Sequence, residues 1–112
     1  MAAQVDFADL FNHLKVQVVN FAGISLAKYE NEAKKGALLF LNEIKDKLAR
    51  WTLLLSDHQL TTEDFEWLVN SQKQLMEMHA LSQAGLAAIR VEQFKNSVMN
   101  MVVDTVFSFV KI

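Results

Sequence analysis

From Phe11 onward the apolar residues return every three or four positions, as Leu14, Val18, Ala22, Leu26, Tyr29, Ala33, Ala37, Phe40, Ile44, Leu48, Trp51 and Leu55. Twelve steps cover 44 residues, about 3.67 per step, the eleven-residue repeat of helices packed nearly straight or with a slight right-handed coil. A second stripe of the same length and period runs Phe65, Val69, Gln72, Met76, Ala80, Gln83, Ala87, Val91, Phe94, Val98, Val102, Thr105 and Phe109. The pattern predicts an all-α chain in two helical halves, forming a single domain over residues 1–112.

Between the stripes lies Ser56 to Phe65, which carries the clearest punctuation in the chain. Thr61 suits an N-cap, Asp64 the third helical position, and Leu60 with Phe65 can close over the entry as a hydrophobic staple. A helix is therefore predicted to start at about Thr62. Lys45, Lys47 and Arg50 place cations in the last turns of the preceding helix, which ends near Ser56. The same starting grammar recurs at Val5-Asp6-Phe7-Ala8-Asp9-Leu10 and puts the first helix start at Phe7.

Two architectures follow, and they differ at the glycines. If both stripes run unbroken, the chain is a hairpin of two arms about 75 Å long. Pairing Leu55 with Phe65 then sets Phe11 beside Phe109, Ala33, Gly36 and Ala37 opposite Gln83, Ala84 and Ala87, and Lys28 near Glu92, Glu30 near Arg90 and Asp104 near Lys15. Lys34-Lys35-Gly36 and Ser82-Gln83-Ala84-Gly85 are the natural places to break the arms. Breaking both gives a compact monomeric up-down-up-down four-helix bundle. Because both stripes hold phase through the glycines, the long hairpin is preferred, paired as a twofold dimer into a four-helix bundle.

The dimer is also suggested by apolar residues that one seam cannot cover. Leu38, Leu39, Leu53 and Leu54 in the first half, and Trp67, Leu75, Met78, Leu86, Ile89, Val103 and Val106 in the second, are the predicted interface.

Composition narrows the functional classes. With 52% apolar and 21% charged residues the chain is a folded protein, and a net charge of −2 offers no basic field for nucleic acid. The lack of cysteine removes thiolate metal sites and thiol nucleophiles. No secretion leader or spanning helix is expected from Met1 to Phe7 or from the apolar tracts, so the default compartment is the cytoplasm. The tail from Val98 to Ile112 has only Lys111 as a basic residue and is a poor interfacial helix.

Chemistry is sparse. His13, His58 and His79 lack a second ligand at a metal-binding spacing, and Glu77 and His79 are too close in sequence to share one face of a helix. Asp6, Asp9, Glu63, Asp64 and Glu66 sit at helix starts, where the macrodipole accounts for them. No cofactor, metal or catalytic set is expected. The sequence suggests a non-catalytic interaction or scaffold module acting through its helical surface, as a homodimer or a small subunit of a larger assembly. The alternative is an apolar-ligand or lipid-binding bundle, in which Met76, Met78, Met99 and Met101 with Phe94, Phe107 and Phe109 line the interior.

Overall fold

The computed structural model describes residues 6–76 and 78–110, all of them helix, turn or irregular chain. Glu77, Lys111 and the stretch read for a leader up to Val5 lie outside the described residues. Five α-helices follow one another: α1 (Phe7–Ser25), α2 (Glu30–Ser56), α3 (Thr62–Asn70), α4 (His79–Gln83) and α5 (Ala88–Val110).

The helix starts are where the side chains place them. Asp6 accepts from the amide of Asp9 at 3.1 Å, and Thr61 from the amide of Asp64 at 3.0 Å. Each satisfies one of the amides that the first turn of a helix leaves without a partner. At the end of α2 the amides of His58 and Gln59 close onto the carbonyls of Leu55 and Leu54 at 3.1 and 2.8 Å. This is a Schellman closure, with His58 in the left-handed region at φ 62°.

The long arms are not formed. The chain reverses at Leu26–Tyr29, about two to three turns before Gly36, and α1 folds back along α2. Gly23, Ile24 and Ser25 are weak helix formers, and the Ser25 hydroxyl donates to the carbonyl of Phe21 at 2.7 Å, competing for the helix's own acceptor. Leu26, 5% exposed, anchors the bend in the core. Gly23 leaves room for the Glu30 side chain: a Cβ there would stand 3.2 Å from Glu30 Oε2. Gly36, by contrast, lies within α2, where packing on both sides offsets a penalty of about 1 kcal/mol.

The second half is interrupted as well. After α3 comes a short 3₁₀ turn at Lys73–Leu75, then extended backbone at Met76, α4, and a sharp exit at Gly85 with φ 103°. The amides of Gly85 and Leu86 close onto Ser82 and Leu81, both at 3.1 Å, a second Schellman motif. Of the two breaks that define the compact alternative, the one at Gly85 is therefore present and the one at Gly36 is not, while the continuity preferred through Gly85 is not kept. Side-chain contacts give each limb's direction. Lys47 donates to Gln72 at 3.1 Å, Phe65 meets Phe107 at 5.7 Å between centroids, and Phe21 stacks on Phe94 at 5.6 Å. The path thus runs up α1, down α2, up the broken α3–α4 limb and down α5. The whole measures 50 × 23 × 19 Å, short of the expected 75 Å arm.

One core runs the length of the molecule, from Leu10, Leu14 and Val18 through Phe40, Leu41, Ile44 and Leu48 to Phe65, Val69, Val98, Val102 and Val106. Across α1 and α5 the expected level of Phe11 with Phe109 is nearly kept, since the His13 ring lies 5.6 Å from Phe109. A polar chain crosses the same seam: buried Thr105 donates to Gln17 Oε1 at 2.9 Å, and Gln17 Nε2 meets His13 Nε2 at 2.8 Å. The expected charge pairs are replaced by others. Glu92 joins Lys73 at 2.6 Å, Glu30 joins Lys34 one turn on, and the Lys15 ammonium lies over the Phe11 ring at 5.4 Å.

Candidate functional site

The irregular stretch after α3 leaves a gap against α2. Its walls are Glu32, Lys35, Gly36, Leu39, Phe40 and Glu43 from α2, and Leu75, Met78, His79 and Ala80 from the broken limb, enclosing about 270 Å³. On α2 these positions recur at three- and four-residue steps, so they share one side of the helix, next to the core stripe. Gly36 contributes only backbone to the lining. Phe40 and Met78, 1% and 5% exposed, form its apolar base, and Leu39 and Leu75, 56% and 39% exposed, form its lip.

Charged groups mark the rim. Among the described residues the ion pairs are Lys34–Glu30 and Lys73–Glu92, and neither includes the groove's Glu32, Lys35 or Glu43. The hydrogen bond from Lys73 holds the Glu92 carboxyl below its usual value, and this pair ties the 3₁₀ turn to α5. It helps fix the segment that forms the far wall of the groove.

A smaller gap of about 190 Å³ lies between the end of α1 and the start of α5, around the stacked Phe21 and Phe94. Among the described residues no group of three His, Asp or Glu side chains is placed to hold a metal ion, and no helix is long and apolar enough to cross a membrane.

The residues expected at an interface divide into two sets. Met78, Leu86, Val103 and Val106 are buried inside the single chain, at 5%, 6%, 7% and 0% exposure. In the unbroken arms they lay off the seam; bending the chain turned them inward, which removes part of the reason for a dimer. Leu38 and Leu54 are half-buried, while Leu39, Leu53, Trp67, Leu75 and Ile89 are exposed. Only Leu39, Leu75 and Met78 of the whole set come together in the groove. The methionine and aromatic set behaves mainly as core: Met76, Met99 and Phe94 are buried, and Met101, Phe107 and Phe109 pack against them half-buried.

Glu32, Lys35 and Glu43 were not singled out by the sequence. Their spacing marks a solvated helix side, and only the bend in the opposite limb turns that side into the wall of a groove. Comparison of the chain with protein families, with characterised proteins and with solved structures gives no match.

Proposed function

We propose that the chain is a non-catalytic helical interaction module that works through its outer helix surface, first with a second copy of itself and otherwise as a small subunit of a larger assembly. The observation that carries this reading is the large apolar residue set left outside an already closed core. Trp67 is 71% exposed, Leu53 60% and Ile89 69%. The Lys47–Gln72 bond sets the register of α2 against α3, and at that register Leu53 and Trp67 fall at one level beside the 57–61 turn. Tryptophan is the side chain most often found as the anchor of an interface, because it removes much apolar area from water with few rotatable bonds. Polar side chains that meet are used in caps, ion pairs and the Thr105–Gln17–His13 chain, which accords with a structural rather than catalytic role.

Sedimentation velocity tests the reading. The expected result is a species near twice 12.7 kDa that falls to the single-chain mass in Trp67→Asp and Leu53→Asp, with the melting temperature nearly unchanged. A wild-type chain that stays monomeric at high concentration would contradict self-association, and dimers that survive both substitutions would contradict the surface.

A second reading, capture of a small apolar ligand, is supported by the groove over Phe40 and Met78. On this reading the ligand would lie between α2 and the broken limb rather than among Met99, Phe94 and Phe107.

A further inference from the structure

The groove has a charge bias that narrows what could occupy it. A volume of about 270 Å³ has room for roughly nine water-sized groups, at about 30 Å³ each. That is too little for a partner helix and enough for a short chain or a single ring with a polar end. Its base is an aromatic face and a thioether, Phe40 and Met78, both of which accept apolar bodies and tolerate a nearby positive charge.

Among the described residues, two carboxylates, Glu32 and Glu43, stand around this base against one ammonium, Lys35, and the imidazole of His79. Glu32 and Glu43 are eleven residues apart, three turns of α2, so they bracket the groove along about 16 Å. Glu32 is half-buried and Glu43 exposed. Neither carboxylate is neutralised by an ion pair among the described residues. Near neutral pH the rim therefore favours a cation over an anion.

We propose that the groove is a binding site for a small hydrophobic ammonium of about nine heavy atoms, with its apolar body resting on Phe40, Leu75 and Met78 and its cationic nitrogen held at one end by Glu32, the half-buried carboxylate of the two. The proposal rests on the ligand reading above and adds the sign of the charge. It also explains why the α2 side chains facing the break are not paired with one another: the groove keeps open carboxylates beside an apolar floor.

Three probes of one apolar length separate the parts: n-octylammonium, octan-1-ol and nonanoate, each titrated below its aggregation threshold into the full chain and followed by amide NMR. Octylammonium should bind with a dissociation constant on the order of 0.1 to 1 mM, as expected of a ligand this small. Its shifts should cluster at Gly36, Leu39, Phe40, Leu75 and Met78. Octan-1-ol should bind more weakly at the same residues, and nonanoate most weakly of the three. Glu32→Gln should weaken octylammonium roughly two- to fivefold, the range for a partly exposed ion pair, Glu43→Gln at the opposite end should weaken it less, and both should leave octan-1-ol unchanged. Lys35→Gln should strengthen it, a change of opposite sign that a general loss of structure cannot imitate. Equal binding of all three probes in the groove would overturn the charge assignment while leaving the apolar-ligand reading intact. Shifts scattered over the surface, or no shifts, would overturn both.

Discussion

The two halves of the chain carry stripes of equal length and equal period, yet one keeps a helix of 27 residues across a glycine and the other breaks a 22-residue limb that contains neither glycine nor proline. The contrast shows what decides helix continuity here. In α2 the stripe residues Ala33, Ala37, Phe40, Ile44, Leu48 and Leu55 are all buried, so a straight helix already places the large side chains inside. In the limb from Thr62 to Gln83 a straight helix would direct Ala80 and Gln83 to the seam, followed by Ala87, and turn Leu81 and Met78 about 130° and 170° away from it. The observed chain does the opposite: Met78, Leu81 and Leu86 are buried, and Ala80, Gln83 and Ala87 are exposed. Burying a large aliphatic side chain is worth about 1.5 to 3 kcal/mol, whereas a backbone hydrogen bond contributes about 1 kcal/mol net. Three exchanges of small or polar for large residues outweigh the few helical bonds lost.

The bent limb also makes polar contacts of its own. Ser71 donates from its hydroxyl to the carbonyl of Leu68 at 2.6 Å, Gln72 accepts from Lys47, and Lys73 joins Glu92. The first half has its own reversal at Leu26–Tyr29, but there the stripe stays in phase on both sides. An uninterrupted period is therefore compatible with an interrupted helix.

The sharpest way to break this comparison is to shrink a side chain that the bend brings inside. Leu81→Ala should cost about 2 to 5 kcal/mol in denaturant unfolding, as for other fully buried leucines, while Gln83→Ala stays within about 0.5 kcal/mol. A straight limb would show neither so large a loss at Leu81 nor so small an effect at Gln83. The two Schellman closures give a smaller, paired test. Gly85→Ala forces a side chain to φ 103° and should cost about 1 to 2 kcal/mol, whereas His58→Gly relieves a left-handed histidine and should gain about 0.5 to 1 kcal/mol. Smallest is the effect of pH on the contact that pins the bend. The folded-state Glu92 carboxyl is held below its ordinary value of 4.5, so its contribution is present above that value and is lost as the pH falls through the lower folded one. The melting-temperature gap between wild type and Glu92→Gln should be open at neutral pH and close under acid conditions.

Much of the local structure was legible. Asp6 and Thr61 marked their helix starts, the 57–61 turn fell where Leu60, Thr61 and Phe65 placed it, and the level of α1 against α5 followed from the stripes. The bends at Leu26–Tyr29 and after Asn70 were not. Gly36 and Gly85 carry the same local signal, and which of them is a turn depends on what becomes buried once the chain folds back, which no window of sequence contains. The groove inherits that difficulty. Leu39, Leu75 and Met78 stood out as apolar residues off the seam, but Glu32, Lys35 and Glu43 acquire meaning only from the limb bent opposite them.

The measurement that tests the account most directly is a spin-label distance between Asn12→Cys and Asn42→Cys. Both sites are exposed, and the chain has no cysteine of its own to compete for the label. They stand at nearly one level of the α1–α2 pair, since the Lys45 ammonium lies 5.2 Å from the centre of the Phe11 ring. Reversal at Leu26–Tyr29 predicts a separation below about 30 Å, from two helices packed side by side with their labels. A distribution centred near 45 Å, the length of thirty residues of unbroken helix, would contradict it and restore the long arm.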